Sequence, residues 1–130
     1  MVHKKFLFVA CFVLSSAPLF AQQSGGIKRF PLQTQEFSVP GRIAIQTRVE
    51  IEPGIEIPKQ THPGLEMIYV IEGQCEIKVD GQPSRTYKAG EALSVPEGAV
   101  HSGINSSNGV TKLLLTYLVD VGKPLATFIK

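Results

Sequence analysis

Three observations predict an all-β fold for this chain of 130 residues. From Ile43 to Ile51 the sequence alternates, with Ile43, Ile45, Thr47, Val49 and Ile51 on one side and Arg42, Gln46, Arg48 and Glu50 on the other, the pattern of a half-buried strand. Gly, Pro or Asn interrupts the chain every 8–12 residues or so, the spacing that antiparallel sandwiches and barrels produce. No window of about a dozen residues carries a helical period. The chain is therefore read as one small all-β domain.

Residues 1–21 read as a secretory signal. Lys4 and Lys5 form a charged start, Phe6 to Leu14 an apolar stretch, and Ser15 to Ala21 a mostly small-residue end that places cleavage after Ala21. The apolar stretch meets Ser15, Ser16 and Pro18 well before the roughly 20 residues a membrane helix needs, so removal is expected rather than anchoring. Lipidation at Cys11 would leave an apolar core of only about five residues. Residues 22–40 are polar and broken by Gly25, Gly26, Pro31 and Pro40, an arm that can add an edge strand to the domain at 41–130. After Ile51, strands are expected at Met67 to Ile71, Cys75 to Val79, Ser84 to Tyr87, Ala92 to Val95, Val100 to Ile104 and Val110 to Val119. Asp80-Gly81 and Asn108-Gly109 each carry a hairpin signal, because both residues of the pair tolerate positive φ.

Export alters the charge balance. The whole chain has 13 Lys+Arg against 11 Asp+Glu; without Lys4 and Lys5 there are 11 of each, so no basic face for nucleic acid or anionic lipid is implied. The 109 residues from Gln22 onward suffice for one modest core. With Cys11 removed, Cys75 is the one thiol left and no internal disulfide can form. Cys75 shares parity with Ile77 and Val79, which favours a buried core thiol over a reactive one.

Two segments carry more than a fold. In the first, Gly54 is followed by Gln60, Thr61, His62, Glu66 and Gly73; in the second, Gly90 is followed by Pro96, Glu97, Gly98, His101 and Asn105. Together they resemble the paired motifs of the cupin family, whose first motif has histidine at both the Gln60 and the His62 positions. Every other position is filled, and the resemblance covers about residues 41 to 120. The ending from Gly122 to Thr127 is similar to the tail of small exported cupins. The resemblance implies a double-stranded β-helix, or jelly-roll barrel, with Gln60, His62, Glu66 and His101 around one divalent transition metal. It also implies a small-molecule ligand or substrate, and pairing through the sheets as a homodimer.

The spacing can be argued on its own terms. Gln60 and His62, two apart on a strand, project from one face about 7 Å apart. Glu66 lies four residues further, about 13 Å along an extended strand, too far to share an ion with bonds of about 2.1 Å. A bend must intervene, and His62-Pro63-Gly64-Leu65 offers a type II turn, with Pro presetting φ and Gly accepting positive φ. His101 has to arrive from another strand, aimed by the turn at Pro96-Glu97-Gly98.

Two imidazoles and a carboxylate with open positions suit Fe(II), and also Mn(II), Ni(II) or Zn(II). A Gln60 amide oxygen is a weaker donor than imidazole and tilts the preference toward Fe or Mn. The same residues would also satisfy one another as a hydrogen-bonded cluster in an empty barrel, with Gln60 marking a lost site. A Ser-His-Asp hydrolase is disfavoured because both histidines are already claimed. Tyr69, Tyr87 and Tyr117 read as packing residues at strand parity, Glu72 and Glu76 as solvated strand residues, and Asp80 as a turn former. The resemblance implies a metal-dependent enzyme acting on a small oxygenated organic molecule; the ligand set puts dioxygenase chemistry first, and the secretory signal places the protein in the periplasm or outside the cell. A non-catalytic binding module, which Gln60 favours, and an interaction protein using the 22–40 arm are the alternatives.

Overall fold

The computed structural model describes residues 22–130; the signal expected over residues 1–21 lies outside them. The described residues contain strands and no helix: β1 (Gln22–Ser24), β2 (Ile27–Glu36), β3 (Arg42–Ile51), β4 (Glu56–Thr61), β5 (Gly64–Glu72), β6 (Gln74–Val79), β7 (Arg85–Lys88), β8 (Ala92–Val95), β9 (His101–Asn105), β10 (Thr111–Asp120) and β11 (Thr127–Phe128). They form a six-stranded sheet in the order β1-β2-β3-β10-β5-β8 and a five-stranded sheet in the order β11-β4-β9-β6-β7. The all-β double-sheet barrel expected from the sequence is the fold of this chain.

From β3 onward the chain changes sheet at every connection except β6 to β7. That exception holds Asp80-Gly81, and β6 and β7 do pair as an antiparallel hairpin. The turn differs from expectation: Gln82 N donates to Val79 O at 3.0 Å, and Gly81 alone takes a positive φ, of 83°. The hairpin expected at Asn108-Gly109 does not form. Those residues lie in a connection between sheets, neither has positive φ, and the Asn105 amide holds the loop by donating to Ile51 O at 2.7 Å and Gly109 O at 2.8 Å. A residue pair that tolerates a turn cannot say which sheet the next strand joins.

The core lies between the sheets. β10 alternates buried and half-buried residues along its whole length, with Leu113, Leu115, Tyr117 and Val119 inward, and its ten residues pair in unbroken register with β3. Such alternation is what one buried sheet face imposes. Two of the three register shifts among the described residues fall where proline interrupts the ladder, β2 against β3 at Pro31 and β4 against β9 around Pro58; the third, β10 against β5 between Lys112 and Leu113, has no proline. Those interruptions also hide β4 from an alternation count. Cys75 is fully buried, and burial pushes its thiol up to about 11, so it is inert at neutral pH.

Candidate metal centre

His62, Glu66 and His101 come from three places in the chain. His62 follows the last residue of β4, and Pro63 carries the backbone into β5 on the opposite sheet. Along β5 the residues Gly64, Glu66, Ile68 and Val70 face inward, so Glu66 occupies a core position. The type II turn expected at 62–65 is not what brings it there, because Gly64 does not take positive φ. Glycine is required for closeness instead. A Cβ at Gly64 would run into the Leu118 carbonyl oxygen and come within 2.7 Å of Val119 Cα, on the strand with which Gly64 pairs. His101 opens β9, directly after a turn closed by Ala99 N donating to Pro96 O at 3.1 Å. Gly98 N donates to His62 O at 3.1 Å, so the turn that aims His101 is fastened to the backbone of His62.

The three side chains are 2–5% exposed, and one potential ligand atom from each lies within 4.8 Å of the others. Glu66 Oε2 is 3.3 Å from His62 Nε2 and 3.0 Å from His101 Nε2. These are ion-pair distances, yet none of the three buried atoms has a partner with hydrogen-bond alignment. The far side of each ring explains why. His62 Nδ1 lies 2.6 Å from Leu125 O, and His101 Nδ1 lies 3.0 Å from Ala99 O. A carbonyl oxygen only accepts, so each Nδ1 carries a proton, and a ring in its neutral form turns an Nε2 lone pair toward the carboxylate. With both rings neutral, three electron-pair donors converge there. Around an ion with bonds of about 2.1 Å, adjacent ligand atoms stand roughly 3.0–3.4 Å apart, which matches the carboxylate contacts. Backbone carbonyls that fix the ring tautomer are the usual support of ligating imidazoles.

Electrostatics agree with that geometry. Burial raises the Glu66 carboxyl, but the His101 and His62 imidazoles outweigh burial and hold it at about 2, so Glu66 is an anion at any ordinary pH. Burial lowers His101, and Glu66 and the Ala99 carbonyl more than reverse this, leaving it above its ordinary 6.5. A cation belongs between these groups, as a proton on His101 or as a metal ion.

Gln60 is buried and pairs in register with His101, and it lines the same cavity of about 590 Å³ as the three ligand candidates. All four residues singled out from the sequence therefore face one chamber, and His62, Glu66 and His101 meet within it. Tyr117 belongs there too, although its strand parity reads as packing. It stands opposite Glu66 in the register, its ring meets His62 edge-on at 5.0 Å, and it lines the cavity. Burial, then Glu66, pushes its phenol well above the ordinary 10. Only the pairing of β10 with β5, which sequence alternation does not encode, separates Tyr117 from an ordinary core tyrosine. Asn105, the last motif position, serves the fold through its loop contacts rather than the chamber.

The fold superimposes on a cupin-like protein from Thermotoga maritima at 23% identity and TM-score 0.65, over 82% of this chain and 77% of that one. A variant of oxalate decarboxylase from Bacillus subtilis matches at 23% identity and TM-score 0.66, over 84% of this chain and 29% of the decarboxylase. DMSP lyase from Ruegeria pomeroyi matches at 20% identity and TM-score 0.60, over 65% of this chain and 42% of the lyase. The chain thus spans less than half the length of either enzyme. No curated protein sequence matches it. The family model described as a cupin domain matches residues 47–117, more than half of the chain and all of the His62, Glu66 and His101 cluster. On that match, and on the double-sheet barrel beneath it, the chain belongs to the cupin family.

Proposed function

We propose that the chain is an exported metal-binding cupin, a metal-dependent enzyme of dioxygenase type that acts on a small oxygenated organic molecule within the barrel. One observation carries the reading: His62 Nε2, Glu66 Oε2 and His101 Nε2 converge without a hydrogen bond while both Nδ1 atoms are held by carbonyls. His62, Glu66 and His101 would hold a divalent transition metal, Fe(II) or Mn(II) by preference and Ni(II) or Zn(II) as alternatives, with Gln60 as a weaker fourth ligand. When bound, such an ion supplies Lewis acidity and open positions for substrate and dioxygen. The protein's own groups do the rest. Leu125 O and Ala99 O keep the rings oriented, the apolar wall excludes water, and Tyr117 keeps its phenolic proton and can donate it in a hydrogen bond to a ligand beside Glu66. Relatives of this fold include a lyase and a decarboxylase, which supports small-molecule chemistry without naming the reaction. The charged, apolar and small-residue stretches of residues 1–21 support export to the periplasm or medium.

Metal analysis of the protein purified and reconstituted without oxygen tests the proposal. About one Fe or Mn per chain is expected, lost in His62→Ala and His101→Ala; absence of any transition metal after reconstitution would end the oxygenase reading. Gln60 favours a second reading, a small-molecule binder with a weakened metal site, because an amide replaces an imidazole there. Ligand capture that is identical with and without metal would favour it.

A further inference from the structure

The arm that precedes the matched cupin domain brings a charge into the cavity. β2 runs antiparallel to β3, with Ile27 opposite Ile51 and Arg29 opposite Val49. Ile51 and Val49 point into the core, and directly opposed residues share a face, so Ile27 and Arg29 point inward as well. Ile27 is buried as that face demands. Arg29 stands where the next apolar residue would, half-buried, and both line the cavity. No carboxylate among the described residues is within ion-pair distance of Arg29. Glu56 shares the cavity wall, but it is exposed at the start of β4. A guanidinium on an inward face is costly unless an anion meets it, and its planar fork suits a carboxylate.

The register places Arg29 well away from the metal centre. Val49, opposite Arg29, is itself opposite Leu113, which lies four residues before Tyr117, the partner of Glu66. Three strand spacings and four residues amount to roughly 14 Å across and 13 Å along a flat sheet, which the curl of the sheet and the length of the side chain reduce. Arg29 is thus no rival ligand for the ion, although it lines the same chamber and its charge is felt at Tyr117. Val49, Ile57, Ile68, Leu113, Leu115 and Phe128 line the same cavity. A molecule that satisfies every wall needs an anionic end, an apolar body and a second end that reaches the centre.

We infer that the cavity takes an organic acid with an aliphatic or aromatic body, its carboxylate paired with Arg29 and its other end at the His62, Glu66 and His101 centre. The inference rests on the reading of this chamber as a small-molecule site, and it assigns the arm, outside the family match, a part in choosing the ligand.

Titration calorimetry with benzoate, 3-phenylpropanoate and hexanoate, each against its neutral primary amide, tests this on the metal-free and the Mn(II)-loaded protein. At least one acid is expected to bind about tenfold or more tightly than its amide. Arg29→Gln should erase that preference while metal content and melting midpoint stay unchanged, and Arg29→Lys should keep part of it. The preference in the unmutated protein is independent of whether any variant folds. Equal binding of acids and amides, no acid saturating below about 10 mM, or full acid affinity in a folded Arg29→Gln protein would each overturn the inference. Arg29-dependent acid binding in a protein that takes up no metal would support it while removing the metal centre from the proposed function.

Discussion

On the proposed reading Gln60 loosens the hold on an ion, because it faces the same chamber as His62, Glu66 and His101 but offers a neutral amide. Gln60→His should increase metal retention about tenfold or more in a competition assay with a chelator. No change would show that position 60 does not reach the ion. Protonation of the other ligands sets a pH profile. In the metal-free protein Glu66 loses its proton more readily when folded, at about 2 against an ordinary 4.5, so its contribution to stability is complete above 4.5 and is lost as pH falls toward 2. His101 is held above 6.5, so its contribution is complete below 6.5 and is lost as pH rises through the raised value. Urea unfolding of the metal-free protein should therefore weaken on both sides of a mildly acidic optimum, and Glu66→Gln should flatten the profile. Metal binding needs a neutral His101, so uptake should fall as pH drops below that raised value; uptake that is constant from pH about 8 to about 5 would contradict the assignment.

At the scale of elements, two connections position the site. Gly64 lets β5 lie against β10, and Gly64→Ala should destabilise the fold by about 2 to 4 kcal/mol in urea unfolding, since backbone atoms on both strands must separate. The carboxy-terminal tail is the other. β11 pairs with β4, and Leu125 O fixes the His62 ring, so a chain ending at Pro124 should bind metal about ten- to a hundredfold more weakly while β3, β5 and β10 still pair. Unchanged affinity would mean that the tail does not orient His62. These elements also show what was legible in the sequence. The inward parity of β3 follows from period-two alternation, the positions of β5 to β10 follow from the Gly, Pro and Asn that bound them, and the motif spacing identifies His62, Glu66 and His101. The reason for Gly64, the sheet change at Asn108-Gly109 and the neighbourhood of Tyr117 depend on which strands pair, and interstrand pairing leaves no local mark. The Leu125 carbonyl is invisible for a plainer reason: a backbone acceptor has no residue type.

For the molecule as a whole, the barrel spends core positions on charged and polar groups. Glu66, His62, His101 and Gln60 occupy inward places that apolar residues would fill at lower desolvation cost, so the folded protein gains from an ion that satisfies them. At a free-metal concentration about a hundred times Kd the fold should gain about 2.7 kcal/mol, raising Tm by on the order of 10 °C in a domain of this size. A Tm that does not respond to Fe(II), Mn(II), Ni(II) or Zn(II) would indicate that the cluster is satisfied by a proton on His101 alone. The most direct measurement is anomalous diffraction from crystals loaded with Mn(II) without oxygen. One peak is expected within about 2.3 Å of His62 Nε2, Glu66 Oε2 and His101 Nε2 together. A loaded crystal with no peak between those atoms, or with Glu66 hydrogen-bonded to a protonated His101 in the ion's place, would contradict the metal centre.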